Sequence, residues 1–329
     1  PLRFRQAIWN DLVARYAGGG RKIAATNRRQ AFIPAGFRIL PNLVGTAPGF
    51  LGSAGACTVV ALPGPPAELE RMFLGEAVPL ILSSLRGMRD PAGAQLIGTA
   101  LMIPESVLEQ VLLDHSRADS GMLWSTRVAH DRIVFTLRGS EEGERRRVFS
   151  ELVAAFGPVR IREGDVQPAF LLYSALRRRG VRIAAAESCT GGLFSKMLTD
   201  IPGSSEVFWG TLVTYSNQSK VELLGVSREV LERAGAVSEE VAAAMSERLL
   251  ALTPAEATVA VTGIAGPDGG TGEKPVGTVW ISARTRDGEH LCRVYQFRGN
   301  RDAVRRRSAV AACVLAECVL RGVEAVLEY

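Results

Sequence analysis

Short apolar runs alternate with amphipathic stretches through the second half of the chain, and this alternation predicts an α/β fold. The apolar runs predict five strands: Val181–Ala186, Trp209–Tyr215, Thr258–Thr262, Val276–Arg284 and Glu289–Arg298. The last two are expected to form a hairpin around Asp287-Gly288. Apolar positions at helical spacing predict the helices between them: Ala169–Arg179, a helix from the ESCTGG loop to Thr199, Ser219–Leu224, Arg228–Ala234, Ser238–Leu252 and Asp302–Leu327. Residues 166–329 therefore read as one α/β sheet domain with helices on both faces.

Two shorter units precede this domain. Residues 87–165 show a β-α-β-β-α order, which predicts a small α+β domain. Its predicted elements are strand Gln95–Met102, helix Glu105–Asp114, strands Met122–Ala129 and Arg132–Arg138, which are joined through His130, and helix Glu141–Phe156. Residues 1–86 predict the end of an α/β unit: helix Phe4–Arg15 with a breaker at Gly18-Gly19-Gly20, a buried strand Cys57–Leu62, and a helix from Pro66 to about Leu85. We expect a multidomain α/β protein.

Amino-acid composition limits which kinds of site and which location are expected, but it does not identify a function. The chain has 329 residues, a hydrophobic fraction of 47% and a net charge of +5, so ordinary cores are expected and the basic excess suits a small anionic substrate. Five cysteines at wide spacing and three histidines far from them disfavour zinc and a disulfide framework, so reduced thiols and a cytoplasmic location are expected. No apolar stretch is long enough for a membrane span, and the chain begins with Pro1 without a signal-peptide pattern.

Candidate chemistry is concentrated at the ends of two predicted strands. Ser188 follows Val181–Ala186, and Tyr215 ends the next strand, with Lys220 five residues later. A serine hydroxyl needs a base to become a nucleophile, and a lysine in an apolar setting can serve because its pKa falls there. The alternatives are a serine that caps a helix, an aromatic residue at a strand end, and a solvated lysine. Cys189 is a second candidate nucleophile or a small buried residue.

Two further features suit an anion on the same edge of the sheet. The backbone N–H groups that follow Ser188 precede a helix, where they can form an oxyanion hole or bind a phosphate. The glycine-rich loop Thr262–Gly270 follows another strand, and glycines let a ligand approach the backbone, although an ordinary cluster of turns is the alternative. Arg305, Arg306 and Arg307 could supply a phosphate ligand or face solvent.

Several motifs resemble the C-terminal domain of the CinA (competence/damage-inducible) family. They run in order over about half the chain: AAAESCTGG, DIPGSS, VTYSNQSK, GAVSE, VTGIAGPDGG, EKPVGTVW and RDAVRRR. The resemblance implies a nicotinamide-nucleotide amidase, which hydrolyses nicotinamide mononucleotide to nicotinate mononucleotide and ammonia without a metal or cofactor. It implies Ser188, Tyr215 and Lys220 as catalytic residues. Residues expected to bind the substrate are Cys189, Thr190, Gly191, Gly192, Thr262, Gly263, Ala265, Gly266 and Arg305.

The earlier segments resemble the other parts of the same family. NRRQAFIPAG, LPNLVGTAPGF and LPGPPAELERMF resemble the second half of its molybdopterin-binding-like N-terminal domain, and residues 87–165 take the place of its KH-like middle domain. The N-terminal domain implies a second hypothesis, ADP-ribose pyrophosphatase activity with divalent metal, for which the first half-domain is missing from this sequence. A scaffold in competence or DNA damage is a third. Nucleic-acid binding is disfavoured because residues 87–165 contain no GxxG loop, and a homodimer is expected.

Overall fold

A computed structural model describes residues 1–18, 23–55, 57–84, 94–115, 121–129, 131–139 and 141–323. The chain folds into two compact units, Pro1–Pro91 and Ala92–Tyr329. Both combine helices with strands, which confirms the predicted mixed α/β class. No helix of the described part is long and apolar enough to cross a membrane.

The first unit contains short strands that the sequence pattern did not reveal. Its elements are β1 (Leu2–Phe4), α1 (Gln6–Gly18), β2 (Phe32–Pro34), β3 (Arg38–Leu40), β4 (Gly49–Ala54), β5 (Cys57–Ala61), α2 (Pro66–Met72) and α3 (Val78–Ser84). β1 pairs with β2, and β3, β4 and β5 form an antiparallel sheet.

Three expectations for this unit need correction. β1 occupies the start of the predicted helix Phe4–Arg15, which begins at Gln6. β5 was expected to be buried, but its five residues are exposed or partly exposed. The helix predicted from Pro66 is interrupted by a π-helical turn at Phe73–Ala77, where Gly75 weakens the helical preference. Gly19, Gly20 and Leu85 lie outside the described residues.

The second unit begins with the predicted α+β segment. Its elements are β6 (Gln95–Ala100), α4 (Glu105–His115), β7 (Leu123–Val128), β8 (Ile133–Arg138), α5 (Glu142–Phe156) and β9 (Ile161–Glu163). They form an antiparallel sheet in the order β7-β8-β6-β9. The three-residue strand β9 was not predicted, and His130, in the link between β7 and β8, lies outside the described residues.

The rest of the second unit is the α/β sheet domain. Its elements are α6 (Pro168–Arg179), β10 (Ile183–Glu187), α7 (Leu193–Thr199), β11 (Phe208–Val213), α8 (Asn217–Leu224), α9 (Arg228–Ala234), α10 (Glu239–Leu252), β12 (Ala257–Gly263), β13 (Thr278–Thr285), β14 (His290–Gln296) and α11 (Arg301–Arg321). The sheet order is β11-β10-β12-β13-β14. α11 starts one residue before the predicted Asp302 and ends at Arg321, where Gly322 adopts the left-handed conformation that stops helices.

Alternate residues of β10 face opposite helical layers. Ile183 and Ala185 pack in the cluster that contains residues of α6, α7 and α11. Ala184 and Ala186 pack in the cluster that contains residues of α8, α9 and α10. Helices therefore cover both faces of this sheet, and the period of two along the strand explains why residues 183–186 of β10 are all apolar.

The connections from β10 define where a ligand can bind. β10 is parallel to β11 on one side and to β12 on the other, whereas β13 and β14 add antiparallel pairs. The carboxyl ends of β10, β11 and β12 thus meet at one edge of the sheet. In open α/β sheets, ligands bind at the carboxyl edge where neighbouring connections run to opposite sides.

Candidate active site

Ser188 and Lys220 form a buried pair at this edge. Ser188 directly follows β10, and its backbone N–H continues the ladder to the Val261 carbonyl at 3.0 Å. The Nζ of Lys220, in the first half of α8, lies 3.0 Å from the Ser188 Oγ and donates to the Thr214 carbonyl at 2.8 Å. Ser188 is 7% exposed and Lys220 is 1% exposed. The structure therefore joins two of the three predicted catalytic residues by a hydrogen bond.

Local sequence explains how α8 carries Lys220 into the sheet edge. Ser216 caps α8, because its hydroxyl accepts a hydrogen bond from the Ser219 N–H and the Ser219 hydroxyl accepts one from the Ser216 N–H. Gly225 ends the helix in the left-handed conformation. With both ends fixed, the helix is only eight residues long and holds Lys220 against the end of β10.

Burial changes the acidity of the lysine. Removal of the Nζ from water disfavours the ammonium form and lowers the pKa of Lys220 from 10.5 to about 8. Near neutral pH, a measurable fraction of the amine is therefore neutral and can accept a proton. This combination of a lowered pKa and a hydrogen bond to a serine is typical of an activated nucleophile.

Burial has the opposite effect on the neighbouring thiol. Cys189 is 5% exposed, and its loss of hydration raises the pKa of the thiol to about 12. The thiol is then protonated at physiological pH, whereas a thiolate is the reactive species. Cys189 consequently behaves as a small buried residue, the second of the two roles considered for it, and Ser188 is the better nucleophile.

A buried carboxylate organises the loop after Ser188. Glu187 is fully buried and accepts hydrogen bonds from the N–H groups of Gly192, Phe194 and Ser195 and from the Ser195 hydroxyl. These N–H groups belong to the first turn of α7, so Glu187 occupies the position that was expected to receive a substrate anion.

This capping corrects the expected set of backbone donors. The Gly192 N–H is bound by Glu187, and the Gly191 N–H donates to the Ser188 carbonyl at 3.1 Å. Gly191 and Gly192 have positive φ, +57° and +93°, and turn the chain here. Because both of their N–H groups are already hydrogen-bonded, neither is free for a ligand. The N–H groups of Cys189 and Thr190 have no hydrogen-bond partner among the described residues.

Tyr215 does not contact the serine–lysine pair. Its side chain is 58% exposed, and its hydroxyl accepts a hydrogen bond from the Arg301 Nη2 at 2.6 Å. Within the described part of the chain, no hydrogen bond joins Tyr215 to Ser188 or Lys220. Its exposure places the ring at the outer rim of the site.

Arg301, which was not among the predicted site residues, links this tyrosine to the glycine-rich loop. Its Nη1 donates to the Gly266 carbonyl at 2.8 Å, next to the cis Gly266–Pro267 peptide. Gly266 has φ +80°, which favours glycine, and a Cβ there would lie 2.6 Å from the Val276 side chain. The loop after β12 is thereby fixed beside Tyr215.

The other predicted residues of this loop are mainly structural. The hydroxyl of Thr262 donates to the Ala236 carbonyl at 2.7 Å, and Ala265 is buried. A Cβ on Gly263 would lie 2.6 Å from the Val279 side chain, so glycine permits the close approach of β13. These residues hold the sheet edge in shape.

The three arginines at the start of α11 have different partners. Arg305 donates to the carbonyls of Cys189 and Thr190 at 3.1 and 2.8 Å, so it supports the loop after Ser188. Arg306 pairs with the exposed Asp302, and Arg307 donates to the Arg298 carbonyl. Arg301 and Arg305 are four residues apart and share a helix face. That spacing in RDAVRRR was the signal that could have identified Arg301.

Two threonine hydroxyls beside the pair lack partners. Thr190 and Thr214 are fully buried, and in the described structure neither Oγ1 has a hydrogen-bond partner. A buried polar atom without a partner costs free energy unless water or a ligand satisfies it. Thr190 was predicted to bind substrate, whereas Thr214 was not singled out, because a threonine at a strand end carries no distinctive pattern.

Other features of the described chain do not provide a competing centre. A cavity of about 620 Å³ lies between the start of α4, the β7–β8 hairpin, the end of β14 and α11; Arg307 lines it, but none of the proposed catalytic residues does. Among the described residues, no group of three or more His, Cys, Asp or Glu side chains is arranged to hold a metal ion. The five cysteines are free.

Comparisons with known proteins agree with the motifs. The family model of the CinA C-terminal domain matches residues 167–320. A CinA-like protein of Geobacter sulfurreducens is 39% identical over 94% of this chain and 76% of its own length. A CinA-like protein of a Thermotoga species is 38% identical over 91% of this chain and 72% of its own length.

A solved structure is similar to part of this chain. The competence/damage-inducible protein CihA of Agrobacterium tumefaciens is 39% identical, with a TM-score of 0.44, over 44% of this chain and 89% of its own. The sequence relatives extend over nearly the whole chain at more than 30% identity. This chain belongs to the CinA family of competence/damage-inducible proteins.

Proposed function

We propose that this protein is a nicotinamide-nucleotide amidase that hydrolyses nicotinamide mononucleotide to nicotinate mononucleotide and ammonia. The observation that carries the proposal is the buried Lys220 Nζ, 3.0 Å from the Ser188 Oγ, with a pKa lowered to about 8. A neutral amine at this distance is a suitable base for a serine that attacks a carboxamide.

The reaction begins with transfer of the Ser188 hydroxyl proton to the Lys220 amine as Oγ attacks the amide carbon. The resulting oxyanion needs hydrogen-bond donors, and the unpartnered N–H groups of Cys189 and Thr190 are the candidates nearest to Ser188 in the chain. Lys220 then gives its proton to the leaving nitrogen. Ammonia departs, and an ester between Ser188 and the nicotinoyl group remains.

Water completes the cycle. It attacks the ester carbon and gives a proton to Lys220, which returns that proton to the Ser188 Oγ as the carboxylic acid leaves. Lys220 thus acts as a base and then as an acid in each half-reaction. Its pKa near 8 suits both tasks because the neutral amine and the ammonium form are close in free energy.

We assign the first proton transfer to Lys220 and give Tyr215 another task. Lys220 is within hydrogen-bond distance of Ser188, whereas the Tyr215 hydroxyl is bound to Arg301. The exposed ring of Tyr215 is available to stack on the flat pyridine ring of the substrate. The Thr190 hydroxyl and the remaining guanidinium N–H groups of Arg305 and Arg301 are the donors that we propose for the substrate's polar groups.

The test is ammonia release from nicotinamide mononucleotide, nicotinamide riboside and free nicotinamide by the whole chain. We expect activity on the mononucleotide and its loss in Ser188→Ala with an unchanged circular dichroism spectrum. Lys220→Met should lower kcat by about 10²- to 10⁴-fold, and Tyr215→Phe by less than about tenfold, since a phenylalanine ring still stacks. Full activity in Ser188→Ala would refute the proposal.

A further inference from the structure

The hydroxyl of Thr214 is a buried polar group that the amide-cleaving steps leave unused. Thr214 directly follows β11, its side chain is fully buried, and its Oγ1 has no hydrogen-bond partner within the described structure. Its backbone is fully engaged, because its N–H donates to the Glu187 carbonyl and its carbonyl accepts from Lys220. Only the side-chain hydroxyl remains to be explained.

Strand register puts this hydroxyl on the same face as the nucleophile. Val213 is opposite Glu187 in the parallel pair of β10 and β11, and the Thr214 N–H continues the ladder to the Glu187 carbonyl, so we infer that Thr214 and Ser188 continue this register by one residue. Opposed residues in a parallel pair point to the same side of a sheet. That side carries α8 and therefore Lys220, which contacts both residues.

Lys220 also has an unfilled hydrogen-bonding position. An ammonium group has three N–H donors, and the described acceptors of the Nζ are two, the Ser188 Oγ and the Thr214 carbonyl. A third acceptor is needed whenever Lys220 is protonated in this buried place. The Thr214 hydroxyl without a partner belongs to the residue whose carbonyl already binds the Lys220 Nζ, and an amine with a spare donor near such a hydroxyl forms the polar surroundings that a buried water requires.

We propose that Thr214 Oγ1 and Lys220 Nζ hold the water molecule that hydrolyses the acyl-enzyme. The inference rests on the proposed function, since it assigns the second half of that reaction. The water oxygen forms a bond to the ester carbon while one of its protons passes to the neutral Lys220 amine. The bond between the carbon and Ser188 Oγ then breaks, and Oγ takes the proton back from Lys220. Thr214 orients the water through its hydroxyl and acts as a positioning residue.

The test separates the two half-reactions with p-nitrophenyl acetate, a chromogenic ester that acylates activated serines and needs no pyridine nucleotide. The burst of p-nitrophenol reports acylation, and the steady rate that follows reports deacylation. Thr214→Val removes the hydroxyl and keeps the shape, and Thr214→Ser restores the hydroxyl. Thr258→Val is the matched control, because the Thr258 hydroxyl is equally buried but donates to the Ser246 carbonyl, away from Ser188.

We expect the burst rate of Thr214→Val to stay within about threefold of the wild-type rate. Its steady rate should fall about 10- to 100-fold, because the loss of a hydrogen bond worth about 1–3 kcal/mol slows deacylation by that factor. Mass spectrometry should find acetylated Ser188 accumulating in this variant. Thr214→Ser should recover deacylation, and Thr258→Val should leave both phases unchanged. Thr214→Ala is the hydroxyl-free variant to use if the valine variant does not fold.

The outcomes distinguish this inference from the proposed function. Equal loss in both phases, or no loss in either, overturns the role of Thr214. The role of Thr214 is also overturned if neither the ester nor nicotinamide mononucleotide leaves an adduct on Ser188, in wild type and in the variant. If Ser188 is acylated by the ester but no ammonia is released from any pyridine carboxamide, the proposed substrate is wrong, and the ester data still decide the role of Thr214.

Discussion

Replacement of Lys220 by methionine should change how stability depends on pH. In the folded chain, burial lowers the pKa of Lys220 from 10.5 to about 8, whereas in the unfolded chain it returns to its ordinary value. Between these two pH values the unfolded state binds a proton that the folded state does not. Stability must therefore rise with pH across this window, and the rise should vanish in Lys220→Met.

The size of the effect follows from the difference between the two pKa values. A depression from 10.5 to about 8 corresponds to roughly 3 kcal/mol, since one pKa unit is worth about 1.4 kcal/mol. Methionine also removes the hydrogen bonds to the Ser188 Oγ and the Thr214 carbonyl. Their loss does not depend strongly on pH, so it cancels when the same pair of proteins is compared at two pH values.

Scanning calorimetry of wild type and Lys220→Met at pH 7 and pH 10.5 measures how the difference in stability between the two proteins changes with pH. We expect the melting temperature of wild type, relative to that of Lys220→Met, to rise by about 6–12 °C over this interval, because 1 kcal/mol shifts a unit of this size by about 2–4 °C. Lys196→Met is a suitable control, since Lys196 is exposed and, among the described residues, pairs only with the exposed Asp200. A difference between wild type and Lys220→Met that stays constant with pH would refute the lowered pKa.

Three further substitutions test the residues that hold the site in place. Glu187→Gln should lower the free energy of unfolding by about 2–3 kcal/mol in denaturant titrations, because the amide replaces a buried carboxylate that caps α7; an unchanged midpoint would contradict this. Gly192→Ala should cost about 1–2 kcal/mol in the same titration, because its φ is +93°; wild-type stability would count against the strain. Arg301→Met should raise KM about tenfold with kcat nearly unchanged in steady-state kinetics, because Tyr215 loses its anchor; a fall in kcat alone would argue against this role.

Much of the α/β sheet domain was predictable because its central strands are mostly apolar. A sheet covered on both faces favours apolar residues on both sides of a strand, as in residues 183–186 of β10 and most of β12, and such runs are easy to recognise. The three-residue strands β1, β2, β3 and β9 carry too few residues to show a period, so the sequence could not reveal them.

The nucleophile was predictable, but its surroundings were not. The types and positions of Ser188 and Lys220 made them candidates for a metal-free pair, the resemblance to the CinA motifs implied them as catalytic residues, and the structure joins them directly. Glu187 reads as an ordinary acidic residue, and nothing in its spacing shows that it is buried and occupies the start of α7. Tyr215 was expected near the proton transfer, yet its position next to Arg301 depends on how the start of α11 meets the segment after β11, which is a tertiary contact.

The most direct test of the account is the pH dependence of kcat/KM for ammonia release from nicotinamide mononucleotide. If neutral Lys220 activates Ser188, kcat/KM should increase tenfold per pH unit below an apparent pKa of about 8 and level off above it. The same curve should appear in Tyr215→Phe. A rate that does not change between pH 6 and 9, or that falls through pH 8, would contradict the central claim that a buried neutral lysine is the base.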